Sequence, residues 1–344
     1  MQEIIEEDLG NLKNNLKEFR ESIEGKTFLV TGGAGFIGSW FCDILNEFNA
    51  KIICVDDLSS GSKKNIEHLI GNENFKFIQA DICNFGTDEK IDYIVHMASI
   101  ASPPLYQKYP IKTLDSNVIG TKEMLELAKK NNVKAFLFTS TSEVYGNPES
   151  SMIPTPENYY GNVNSFGPRS MYDEGKRAAE SYCFSYFKQF HIPIRIARVF
   201  NTYGPRMDFE FTSYGRVLVR FIVQALSNEN LTVHERGQHT RSFCYITDMI
   251  EALLKLLLKP DLDGLIVNIG NDKEIHILDL ANIIIQYSNT KSKPKLNSEP
   301  NYDLTDNPFR RCPDISRAKK LLNFYPKIQV EEGIKRTIEW FKSN

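Results

Sequence analysis

The sequence predicts an α/β protein, a doubly wound parallel sheet with a smaller α/β C-terminal lobe, and three observations predict it. Short runs rich in β-branched residues alternate with helical stretches from Lys26 to Phe200. The runs are continuously apolar, as strands covered on both faces must be. A glycine-rich turn, within TGGAGFIGSW, separates the first of these strands from the first of these helices.

Residues 1–25 read as a leading helix, because Ile4, Ile5, Leu9, Leu12, Leu16 and Phe19 recur at helical spacing with charges between them. Such a helix packs on the body of the protein or on a partner subunit, and it is too acidic for a membrane surface. Phe28–Thr31, Ile52–Val55, Phe75–Ile78, Tyr93–His96, Ala135–Ser140 and Ile194–Phe200 read as strands. Trp40–Phe48, Ile111–Lys130 and Tyr172–Phe190 read as the helices between them. After Asn201 the rhythm loosens. Arg216–Leu226 and Thr247–Leu258 look helical, Leu231–His234 and Leu265–Ile269 look like strands, and 277–287 and 315–323 look helical. The polar stretch from Asn289 to Asp306 reads as a surface loop. The expected organisation is therefore a helical extension over 1–25, a dinucleotide-binding (Rossmann) domain over 26–200 and a mainly substrate-binding lobe over 201–344.

Composition removes several function classes. With 41 Lys plus Arg against 44 Asp plus Glu, a net charge of −3 does not suit a protein held to nucleic acid by phosphate neutralisation. The six cysteines, at 42, 54, 83, 183, 244 and 312, form no C-x-x-C pair, so neither a disulfide framework nor a metal site is expected. No apolar run is long enough to span a membrane, and the opening MQEIIEEDLG lacks the apolar centre of a secretory signal. A cytoplasmic protein is expected.

The turn between the first strand and the helix places glycines at 32, 35 and 38, with Phe36 and Ile37 among the candidate cofactor-binding residues. A pyrophosphate approaching backbone N–H groups and a helix N-terminus needs small residues there, since a side chain would block it. Asp56 ends the second strand, 21 residues after Gly35, where a carboxylate accepts from both ribose hydroxyls. Asp81 and Ile82 follow the third strand, at the height of an adenine, and Ala98 follows the fourth. An acidic Asp56 with no Arg close behind it disfavours a 2′-phosphate, so the expected cofactor is NAD.

Tyr172 and Lys176 form a Y-x-x-x-K pair on one face of a helix. A phenol is a poor base at neutral pH, and a lysine one turn away together with a cationic nicotinamide favours its phenolate. The glycine turn and this pair together resemble the extended short-chain dehydrogenase/reductase superfamily, the NAD-dependent epimerases and dehydratases. Within it, longer segments are similar to the UDP-glucuronate decarboxylases: NIEHLIGNENF, HMASIASPP, PIKTLDSNVIGT, TSTSEVYGNPE, YYGNVNSFGPRSMYDEGKR, FNTYGPRM and RRCPDISRAK. The resemblance covers roughly residues 26–340.

That resemblance implies roles for further residues. Thr141 completes the Thr–Tyr–Lys set and holds the sugar's 4-hydroxyl. Glu143 assists decarboxylation and proton handling at C5, with Ser142 orienting it or the sugar. Arg241, in GQHTRSF, seats the carboxylate, for which a planar guanidinium is suited. Asn201, Arg216 and Arg311 face the sugar diphosphate, and Arg169 reaches the sugar or shapes its loop. The triplet Thr141-Ser142-Glu143 separates this chain from the 4,6-dehydratases, which carry Thr-Asp-Glu, and from the 4-epimerases, which lack the Glu. The implied reaction converts a UDP-sugar substrate, UDP-glucuronate, to UDP-xylose through a 4-keto intermediate. A 4-epimerase or 4,6-dehydratase acting on another nucleotide sugar is the alternative, and a catalytically dead NAD-sensing protein is a third reading that the complete Thr141, Tyr172 and Lys176 set disfavours. The segments DFEFTSYG (208–215) and DLTDNPFRRCPD (303–314) depart from the family pattern beside the pocket. A homodimer through the two long helices is implied as well.

Overall fold

Seven parallel strands stand at the centre of the protein in a computed structural model that describes residues 2–207, 216–296, 303 and 305–343. In chain order they are β1 (Thr27–Thr31), β2 (Lys51–Asp56), β3 (Phe75–Gln79), β4 (Tyr93–His96), β5 (Ala135–Thr141), β6 (Ile194–Val199) and, much later, β11 (Leu265–Ile269). The spatial order is β11-β6-β5-β4-β1-β2-β3, every pairing parallel. The order reverses between β1 and β4, and in an open parallel sheet the crevice at the C-terminal ends of the strands beside such a reversal is where a ligand fits.

Helices cover both faces, which is why the strands read as unbroken apolar runs. One face carries α5 (Pro110–Asn131) and α6 (Ser170–Phe190) against Leu29, Ile94, Phe136 and Ile196. The other carries α3 (Phe36–Glu47) and α8 (Ile246–Leu258), whose Trp40, Phe41, Leu253 and Leu257 pack on Phe28, Val30 and Leu137. The leading segment is α1 (Gln2–Asn15) and α2 (Arg20–Ile23), and it lies on the body of its own chain. Leu12, Leu16, Phe19 and Ile23 are buried there. Asp8 accepts from the Tyr245 hydroxyl at 2.7 Å and from Arg336 at 2.9 Å, and burial pushes its carboxyl up to about 6.

Smaller pieces complete the order. The helix α4 (Pro103–Lys108) precedes α5, and α7 (Val217–Leu226), α9 (Ile277–Ser288), α10 (Ser316–Leu322) and α11 (Val330–Lys342) follow β6. Short strands pair as β7 (Thr202–Tyr203) with β10 (Cys244–Tyr245), β8 (Leu231–Val233) with β13 (Pro294–Leu296), and β9 (Thr240–Ser242) with both β12 (Glu274–His276) and β14 (Arg310–Arg311).

Three differences from the sequence reading matter. Leu265–Ile269, expected in the smaller lobe, is the edge strand of the main sheet, so a division at residue 200 does not follow the backbone. The first helix starts at Phe36 rather than Trp40, because Gly35 already takes the extended cap conformation. Part of the expected 289–306 loop pairs as β13, while residues 297–302 and 304 lie outside the described residues. The departing segment 208–215 also lies outside them.

Candidate active site

A cavity of about 390 Å³ opens at the C-terminal ends of β1, β2, β4 and β5, and its walls come from both halves of the chain. The glycine turn forms its floor. Gly32 has φ +70, and a Cβ there would meet the Ala98 backbone at 2.8 Å. A Cβ on Gly38 would come within 2.1 Å of the Gly32 carbonyl, so helix and turn close only without a side chain. Gly35 caps α3 and leaves the helix N-terminus bare, with Phe36, Ile37 and Ala98 on the wall around it.

Asp56 ends β2 inside the cavity. Its two oxygens accept from the backbone N–H groups of Ala34 at 3.0 Å and Leu58 at 2.8 Å, and burial pushes the carboxyl up to about 6 against those bonds. Each oxygen keeps a lone pair for a second donor. Gly61 packs so near this carboxylate that a Cβ would lie 2.9 Å from it. Ile82 is buried in the wall and Asp81 is exposed at its rim, accepting from the Cys83 N–H at 2.9 Å. A cradle that side chains would fill, a bare helix N-terminus and a carboxylate at ribose height together fit a dinucleotide such as NAD, which these residues would hold.

The catalytic set named from sequence converges. Tyr172 and Thr141 hydrogen-bond through their hydroxyls. Burial pushes the phenol up to about 12, opposed by that bond and by the Arg216 guanidinium. Lys176 donates to the Thr139 carbonyl at 2.9 Å and lies 4.8 Å from the Phe138 ring centre, and burial pushes its amine down to about 7. Burial by itself thus disfavours both the phenolate and the ammonium, so the cationic nicotinamide expected beside Lys176 is needed for the phenolate to form.

Beyond Tyr172 the cavity becomes dense in charge. Glu143 follows Ser142, also on the wall, in the turn after β5. Arg169 donates to its carboxylate, and Arg311 donates through both terminal nitrogens, one at 2.5 Å. Burial pushes Glu143 up, but the guanidinia of Arg169, Arg311 and Arg241 outweigh it and hold the carboxyl below its usual range. Arg311, expected at the diphosphate, is bonded to Glu143 here, where the pairing of β14 with β9 carries it. Arg241, expected at the carboxylate, donates to the carbonyls of Thr240 and Phe309 and to the Asn307 side chain. Arg216 lies 5.9 Å from the Phe36 ring centre, near the glycine turn. Asn201 lines the cavity and donates to the Ser242 carbonyl at 3.3 Å.

Tyr106, which sequence reasoning missed, stacks on Tyr172 with ring centres 5.4 Å apart and planes 5° off parallel. Its buried hydroxyl has no hydrogen-bond partner among the described residues. Its position in PPLYQ, ten residues past a cavity strand, carries no spacing that marks it.

The arrangement joins a hydroxyl–phenol–amine set to a cluster of guanidinia, the equipment to oxidise a secondary alcohol and to seat an anion beside it. The sequence pattern of the NAD dependent epimerase/dehydratase family matches residues 28–270. UDP-glucuronic acid decarboxylase 1 of Xenopus tropicalis is 41% identical over 355 positions, covering 99% of this chain and 81% of that protein. UDP-glucuronic acid decarboxylase 3 of Arabidopsis thaliana is 45% identical over 316 positions, covering 91% of this chain and 88% of that one. Among solved structures, the UDP-glucuronic acid 4-epimerase of Bacillus cereus in complex with UDP-glucuronic acid and NAD superposes with a TM-score of 0.78 at 30% identity, covering 92% of this chain and 99% of that one.

Proposed function

Since the chain belongs to the NAD dependent epimerase/dehydratase family, we infer from its site that it decarboxylates UDP-glucuronate to UDP-xylose through a 4-keto sugar. The observation that carries this reading is the position of Glu143 and its arginines in the same cavity as Tyr172, since a neutral hexose needs no such cluster.

NAD, when bound in the cradle, supplies the acceptor and later the donor of the C4 hydrogen. Oxidation at C4 makes the C5 carboxylate β to a ketone. The C5–carboxylate bond then breaks, its electron pair passing into the enolate while carbon dioxide leaves. A proton adds at C5, and the ketone is reduced, so no net redox change remains.

The chain's residues divide this work. Tyr172, held by Thr141 and stacked on Tyr106, takes the proton from the 4-hydroxyl and returns it at the end. Lys176 sits one turn along, desolvated, so its charge state responds to the charges that enter the cavity. Arg311 and Arg169 are the guanidinia we assign to the substrate carboxylate, in place of Arg241, whose donors hold its own strand and Asn307. Glu143, held ionised, orients that pair and handles the C5 proton through water. Asn201 and Arg216 face the diphosphate. Leu114 and Ile119 on α5 and Phe184 on α6 are exposed, and a second copy of the chain covers them in the homodimer we infer. All six cysteines are free thiols, which suits the cytoplasmic setting expected.

The test is mass spectrometry of the products from a panel of UDP-sugars. UDP-glucuronate should give UDP-xylose and carbon dioxide; UDP-galacturonate as the product would overturn the reading.

A further inference from the structure

Asp173, the residue after Tyr172, is buried yet lies behind Arg169 rather than on the cavity wall. Its Oδ2 accepts from Arg169 Nε at 3.4 Å, a long bond, and its Oδ1 is enclosed with no hydrogen-bond partner among the described residues. Arg169 thus stands between two carboxylates and serves them unequally. Its terminal nitrogen and both terminal nitrogens of Arg311 go to Glu143, which leaves Asp173 the poorer share. The groups that face Asp173 are Glu143 after β5, Arg169 and Tyr172 at the start of α6, Arg311 on β14 and Tyr106 on α4.

A third carboxylate entering this cluster must share the same guanidinium donors. The added negative charge then bears hardest on whichever carboxylate has the fewest bonds and the least water. We propose that Asp173 is the charge-compensating residue of this site: it takes up a proton from solvent when a substrate carboxylate joins Glu143, and gives it up once that carboxylate has gone. The inference rests on the uronate reading above. Burial and the Glu143 charge, only partly offset by Arg169 and Arg311, already push its carboxyl up to about 7. A further anion raises it more. Below pH 7 Asp173 is largely protonated beforehand, so uptake grows as pH rises through neutrality and fades only above the raised value. Glu143, held low by three guanidinia before the substrate enters, starts from the lower value and is the weaker competitor for the proton.

The experiment is calorimetric titration of NAD-loaded Tyr172→Phe protein, which binds without turnover, in buffers of different ionisation heat near pH 7.5. UDP-glucuronate should bind with uptake of about half to three-quarters of a proton per site, and UDP-xylose, which has no carboxylate, with almost none. Adding Asp173→Asn should remove most of the uptake while binding persists, any remainder belonging to Lys176. Heats for UDP-glucuronate that do not depend on the buffer overturn the proposal without any further variant. Equal uptake with Asn at 173 overturns it too. If UDP-glucuronate fails to bind while another UDP-sugar binds, the uronate reading itself falls and takes this inference with it.

Discussion

The pyrophosphate end of the cofactor wall comes from one continuous stretch, β1, the glycine turn and α3, and it works through backbone groups and the absence of side chains. The sugar wall is assembled from Glu143, Arg169, Arg241 and Arg311, with bonded partners as far as 168 positions apart in the chain, and it works through charge. The first wall is rigid because local geometry closes it. The second is balanced, since Glu143 is held ionised while Asp173, on the other side of Arg169, is pushed up to about 7. Substrate chemistry can therefore change on the second wall without disturbing the first.

Single substitutions sharpen that contrast. The largest effect belongs to Gly38→Ala, whose methyl lands 2.1 Å from the Gly32 carbonyl and leaves the turn no room to close. NAD affinity, read by fluorescence titration, should fall by about 100-fold or more, equivalent to about 2.7 kcal/mol. Nearly unchanged affinity would mean that the turn yields and that the cofactor wall is not rigid. On the sugar wall, Arg311→Ala should lower kcat/KM for UDP-glucuronate by on the order of 100-fold with NAD binding intact, since it strips a buried carboxylate of paired donors. Arg241→Ala should cost about 10-fold or less, because its bonds hold local backbone and Asn307. A reversed ranking of the two arginines would return the carboxylate seat to Arg241.

The same contrast explains what was legible in the sequence. The glycine turn, Asp56 and the Tyr172–Lys176 pair are short-range patterns, and local steric rules fix their meaning, so they were found from spacing. The strands of the central sheet were found within a residue or two because both of its faces are covered, whereas the short strands β7, β9, β10, β12, β13 and β14 were not. The bond of Arg311 to Glu143 was not foreseen, and Tyr106 was not seen, for one physical reason: their positions depend on pairings between distant segments, β14 with β9 and α4 against α6, that no local period encodes. Leu265–Ile269 was read correctly as a strand and assigned to the wrong body, because an edge strand that returns late to a sheet looks like any other apolar run. Electrostatic balance was the least legible of all. Lys176 reads as a fixed positive charge in the sequence, whereas burial makes it conditional on what enters the cavity.

Isotope tracing at C4 tests the central claim most directly. UDP-glucuronate carrying deuterium at C4, converted by the NAD-loaded protein, should give carbon dioxide and UDP-xylose with the deuterium back at C4, the hydrogen having left and returned within one closed site. UDP-xylose with protium at C4, or carbon dioxide loss from substrate that is never oxidised there, would contradict the account.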